Sequence, residues 1–154
     1  MIAIIDYDAG NIKSVEKALN YLGEEAIITR DHDEIVNSDK VILPGVGAFA
    51  DAMEKIRHYG LEETILEVVE KNIPFLGICL GLQLMFESSD EGPGVKGLGL
   101  LPGSVVYTVR FFPAGICILI LLFVVGSNCS LPHSINLAFI KYVAHNICEI
   151  LIPS

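Results

Sequence analysis

The first 106 residues predict an α/β fold: a parallel β-sheet covered by helices on both faces. Three observations point there. The strand signals are short runs of apolar residues without polar alternation, as in IAII and VIL, which suits strands buried on both faces. Segments with helical periodicity separate those runs, the alternation of an α/β chain. A glycine-rich or polar cluster follows the runs, where the chain has to turn.

The elements follow in order. IAII (2–5) is the first strand and DYDAGN (6–11) the loop after it. Asn11 is positioned to cap a helix whose apolar face is Ile12, Val15, Ala18, Leu19 and Leu22, and Gly23 supplies its stop. AIIT (26–29) is a second strand, a short helix follows, and VIL (41–43) is a third strand that ends in PGVGAF (44–49). The next helix carries Phe49, Ala52, Met53 and Ile56 to Gly60, and another carries Leu61, Ile65, Val68 and Val69. IPFLGI (73–78) is the fourth strand and runs into GICLG (77–81), then into a helical pattern, LQLMFESS. Ligands of such sheets bind beyond the carboxyl ends of the strands. The loops 6–11, 44–49 and 77–81 occupy that edge.

With 154 residues, one domain is expected. A net charge of −9 argues against nucleic acid or an anionic membrane as partner, because both demand a basic face. Small polar substrates remain. Cys79, Cys117, Cys129 and Cys148 match neither a zinc site nor a C-x-x-C redox motif, and MIAIIDYD has no basic leader region, so a reducing cytoplasm is expected. Charge divides the chain: residues 1–106 hold 8 of the 10 Lys/Arg and 18 of the 19 Asp/Glu. The reading is therefore an N-terminal unit, 1–106, and a divergent apolar tail, 107–154. The block AGICILILLFVVG (114–126) is shorter than the ~20 residues needed to span a membrane, and no membrane association is expected.

The chemistry centres on Cys79. Gly77 and Gly81 flank it at minus two and plus two, the layout of a nucleophile elbow with cysteine in place of serine. A thiol at a helix N-terminus is favoured as thiolate. An acyl-transfer nucleophile also needs donors for an oxyanion. The glycines of PGVGAF let a backbone N–H turn toward the thiol, and the N–H of Leu80 is the usual second donor. Gln83, four residues on, shares a helix face with Cys79, and Glu91 in SSDEG suits an ammonium group. The residues alone leave blander readings open: a buried inert cysteine, an ordinary Pro-Gly turn, a solvent-facing Gln83 and a solvated Glu91.

Together, PFLGICLGLQLMFESSDEG, LPGVGAF, DYDAGN-x-x-S-V and GVKGLGLLPGSV closely resemble the glutaminase subunits of imidazole glycerol phosphate synthases, class I (triad) glutamine amidotransferases of histidine biosynthesis. The resemblance covers residues 1–106 and implies a flavodoxin-like sandwich, with the C-terminal part truncated or replaced. By it, Cys79 is the nucleophile, Val46 and Gly47 join Leu80 in the oxyanion site, and Gly45, Gly47, Gln83 and Glu91 bind glutamine. It implies a (β/α)8 cyclase subunit that receives ammonia, with no metal or organic cofactor. Family members complete the triad with a histidine and glutamate spaced H-x-E near their C-terminus; residues 107–154 contain no such pair, offering only His133, and His145 with Glu149. The competing readings are a catalytically incomplete fragment that acts at most as a docking module, and another Cys-elbow α/β hydrolase.

Overall fold

A computed structural model of the chain describes residues 1–106. Its centre is a four-stranded parallel sheet in the order β2-β1-β3-β4, built from β1 (Ile2–Ile5), β2 (Ala26–Thr29), β3 (Lys40–Leu43) and β4 (Phe75–Gly77). Ile2 is in register with Ala26 on one side and Lys40 on the other, and Val41 with Phe75. The helices between the strands are α1 (Ile12–Tyr21), α2 (His32–Val36), α3 (Phe49–His58) and α4 (Leu61–Glu70). The expected parallel sheet and element order are present. The fourth strand is shorter than 73–78; Pro74, without an N–H, enters it only as an acceptor, for the amide of Val41 at 2.9 Å.

Apolar residues line both faces of the sheet, which explains strands that show no alternation. Ile2, Ile4, Ile42 and Leu76 pack against Leu19 of α1 on one face. Ala3, Ile5, Val41, Leu43 and Phe75 pack on the other, against Ile35 of α2, Met53 and Ile56 of α3 and Ile65 of α4. Burying each such side chain stabilises the fold by about 1.5–3 kcal/mol. Asn11 does precede α1, but its side chain caps no backbone N–H; it accepts from the Ser14 hydroxyl. Gly23 does stop α1: its N–H donates to Asn20, and the next N–H, of Glu24, donates back to Leu19, a Schellman motif.

Beyond Cys79 the structure departs from the expected helix. α5 (Leu80–Leu84) is one turn long, and FESS forms β5 (Phe86–Ser89), paired in parallel with β6 (Leu101–Val105). The carbonyls that would continue the helix are taken by the returning chain: Leu84 accepts from Leu98, Met85 from Leu101 and Glu87 from Gly97. Only glycine permits this at position 97, where a Cβ would stand 2.0 Å from the Phe86 carbonyl oxygen. The tail readings, namely the block 114–126, His133, His145 and Glu149, lie outside the described residues.

Candidate active site

Cys79 joins β4 to α5 at φ 54 and ψ −115, a conformation that L residues rarely adopt and that costs on the order of 1–3 kcal/mol. The thiol is exposed. Both flanking glycines are sterically required. A Cβ on Gly77 would come within 2.7 Å of the Leu82 backbone, and one on Gly81 within 1.9 Å of the Leu43 carbonyl oxygen. The elbow therefore lies directly on the end of β3, and the amide of Ile78 donates to Leu43 at 3.0 Å. The loop that leaves β3 interlocks with it: a Cβ on Gly45 would be 2.6 Å from the Gly81 nitrogen and 2.9 Å from Leu80 Cβ.

Among the described residues, the N–H groups of Val46, Gly47 and Leu80 have no acceptor. Gly47 sits at φ 102, where glycine is favoured, and Val46 is exposed whereas Leu80 is buried. Unpaired N–H groups are the kind of donor that a developing oxyanion requires. Gln83 is half-buried, and its backbone N–H donates to the Cys79 carbonyl at 3.2 Å, one turn from the thiol residue. Glu91 is half-buried on the loop after β5, where its N–H donates to Ser89 Oγ at 3.2 Å. The next residue, Gly92, packs on Phe49 and Ala50, which brings that loop alongside the first turn of α3. Thus Gly45, Leu80 and Gly81 form one contact unit immediately after Cys79, Gln83 follows in α5, and Glu91 approaches from the far end of PGVGAF.

One residue of this edge escaped the sequence reading. Tyr7 is buried, and its hydroxyl donates to the Pro44 carbonyl at 2.7 Å. Burial, and secondarily the nearby Cys79, push its phenol well above the ordinary tyrosine range. Its signal was a lone aromatic in a polar loop directly after an apolar strand. The aspartates on either side share one cation: Arg30 Nη2 donates to Asp6 at 2.7 Å and Asp8 at 2.8 Å. Arg30 also lies 4.2 Å over the ring of Tyr59, whose hydroxyl donates to Asp8. Those bonds, from Tyr59 first and Arg30 second, hold the Asp8 carboxyl below its usual range. A cavity of about 140 Å³ opens between Tyr7, Gly47, Asp51 and Lys55.

The described residues include two histidines, and neither adjoins Cys79. His32 meets Thr64 at 3.1 Å and Glu67 at 3.3 Å, but it follows β2, at the opposite edge of the sheet from β4. His58, at the end of α3, meets Tyr59 edge-on.

Comparison with known proteins gives a consistent picture. The family model for glutamine amidotransferase class-I matches residues 3–108. Imidazole glycerol phosphate synthase subunit HisH of Bacillus cereus is 58% identical over 105 residues, which are 68% of this chain and 50% of that one. The subunit of the same name from Moorella thermoacetica is 56% identical over 115 residues, 75% of this chain and 53% of that one. The one from Methanocaldococcus jannaschii is 51% identical over 106 residues, 69% and 53% of the two chains. The chain spans about half the length of these curated relatives. A crystal structure of a glutamine amidotransferase aligns with a TM-score of 0.57 at 24% identity, over 66% of this chain and 53% of that one, which shows the shared fold.

Proposed function

The chain belongs to the glutamine amidotransferase class-I family, and on that premise we propose that it is the glutamine-hydrolysing half of an imidazole glycerol phosphate synthase, acting in histidine biosynthesis. The Cys79 thiolate attacks the side-chain carboxamide carbon of glutamine. The N–H groups of Val46 or Gly47 and of Leu80 hold the oxyanion, ammonia leaves, and water cleaves the resulting glutamyl thioester to glutamate. Gly45, Gly47, Gln83 and Glu91 hold the substrate. Ammonia passes to a cyclase subunit, a (β/α)8 barrel in this reading, in the cytoplasm. The reading is carried by one observation: a cysteine strained to φ 54 and ψ −115 against a loop with unpaired N–H groups.

A second reading, a docking module without turnover, draws on the lack of an H-x-E pair in residues 107–154 and of a described histidine beside Cys79; the H-x-E that the sequence does hold, His32 with Glu34, lies in α2, where His32 meets Thr64 and Glu67. General acid–base assistance is worth about 10²–10⁴-fold, so turnover well below that of a relative with the pair is expected. Glutamate release from labelled glutamine, with and without the cyclase subunit, decides between them. The proposal expects slow release that Cys79→Ala abolishes. Release that is equal in the Cys79→Ala chain contradicts it, and cyclase binding with no release in either chain favours docking.

A further inference from the structure

We propose that Tyr7 is a positioning residue that fixes the oxyanion loop from below, and that Arg30 clamps the segment carrying it. The inference rests on the reading of Cys79 and PGVGAF given above. Its basis is geometric. Tyr7 stands at the carboxyl end of β1, beside β3 in the sheet, and is buried to 1% exposure. Its hydroxyl donates at 2.7 Å to the Pro44 carbonyl, the first carbonyl of the loop that supplies Val46 and Gly47. That bond sets the plane of the Pro44–Gly45 peptide. Gly45 must then fit between the Tyr7 hydroxyl and the Gly81 nitrogen, which would lie 2.7 Å and 2.6 Å from a Cβ there. The loop is thus held between Tyr7 and the elbow, with no room at Gly45 for a side chain.

The exposed residues Val46 and Gly47 make no backbone hydrogen bond of their own, although the Val46 side chain lies close over Gly10. Their N–H groups have no acceptor among the described residues, so their direction depends on the peptide before them. Tyr7 itself is held on both sides, since Asp6 and Asp8 bond the same Arg30 nitrogen. Lys55 Nζ adds a bond to the Asp8 carbonyl at 3.2 Å, tying the segment to α3. Preorganised donors act on the transition state more than on bound substrate. A loosened loop therefore slows the covalent step by more than it weakens binding through Gly45 and Gly47.

The test uses the full chain and Tyr7→Phe, which deletes one hydroxyl and keeps the buried ring. The 15N relaxation order parameters of the Val46 and Gly47 amides, which have no acceptor among the described residues and so no exchange protection to lose, are compared with those of β1 and β3. Loss of the Tyr7 hydroxyl bond is expected to lower them from the rigid level of about 0.85 toward about 0.6 with the strands unchanged. A glutamine-shaped diazoketone, 6-diazo-5-oxo-norleucine, then reads the chemistry at Cys79. The maximal inactivation rate is expected to fall severalfold, by a larger factor than the half-saturation concentration rises, while the rate with iodoacetamide stays constant. Arg30→Gln, a surface change that spares the core, is expected to produce a smaller fall in order parameter at the same two amides. Unchanged order parameters at Val46 and Gly47 in both variants overturn the proposal, as does a fall spread equally over β1 and β3. A parent chain whose Cys79 ignores the diazoketone refutes the glutaminase reading and leaves the relaxation result to decide the role of Tyr7.

Discussion

Replacing Gly81 with alanine tests the steric logic of the elbow at its tightest point. The added Cβ would stand 1.9 Å from the Leu43 carbonyl oxygen, against the 3.4–4 Å of ordinary contact. The elbow and the end of β3 must then separate by about 1.5 Å, the shortfall below the inner limit of that range. Neither side can yield easily. Leu43 is fully buried, its carbonyl accepts from Ile78 at 3.0 Å, and Gly81 carries the first turn of α5. Overpacking of rigid backbone belongs with the most destabilising mechanisms, so a loss of ~3 kcal/mol or more is expected. At about 2–4 °C per kcal/mol for a chain of 154 residues, that lowers the melting temperature by more than ~6 °C. Thermal unfolding followed by circular dichroism measures it. Gly94→Ala is the control: Gly94 has φ 83 but open space around it, so only the left-handed backbone term of about 1–2 kcal/mol applies. A Gly81→Ala chain that melts within 3 °C of the parent, or no lower than Gly94→Ala, would refute the argument that close approach dictates glycine at this position.

Three further outcomes follow from the same geometry. Cys79→Gly should be more stable than Cys79→Ala by ~1 kcal/mol in denaturant titrations, because glycine accepts φ 54 without strain; equal stability would mean that the elbow is not strained. Tyr59→Phe should raise the Asp8 pKa toward its ordinary value, since the Tyr59 bond is the first cause of its depression, and Arg30→Gln should raise it too, by removing a hydrogen bond and a charge; a carboxyl titration by NMR checks both, and an unmoved Asp8 in either chain would contradict the assignment. Asp8 is depressed in the fold, so its contribution is present above the ordinary carboxylate range and is lost as pH falls through the lowered value; stability of the Tyr59→Phe chain should therefore depend less on pH there. Ile42→Ala, in a central strand with no exposed surface, should cost about 2–5 kcal/mol; a cost below 1 kcal/mol would contradict the assigned core.

The legibility of the fold followed the range of the interactions behind it. The strands IAII and VIL could be read because full burial imposes an apolar run, AIIT because a half-buried edge strand keeps β-branched residues, and α3 and α4 because their buried residues recur at helical spacing. Cys79 could be read because a left-handed elbow in tight contact leaves only glycine on either side. β5 and β6 could not. Their pairing joins residues about 15 apart, and FESS carries no local strand signal until Gly97 brings the returning chain against Phe86. The reading of Asn11 as a side-chain cap failed for a related reason: its side chain found Ser14, not the backbone. Tyr7 was missed because its role depends on Pro44, in the loop after a different strand, and a lone aromatic in DYDAGN does not by itself tell that the phenol turns inward.

The central claim is that Cys79 is a nucleophile shaped for glutamine. Peptide mass spectrometry after treatment of the 154-residue chain with the glutamine-shaped diazoketone tests it most directly, with competing L-glutamine and L-glutamate in parallel samples. The account predicts a single adduct on Cys79, slowed by L-glutamine far more than by L-glutamate, while Cys117, Cys129 and Cys148 stay unmodified. An adduct on any of those three at a comparable rate, or labelling of Cys79 that glutamine does not slow, would contradict it.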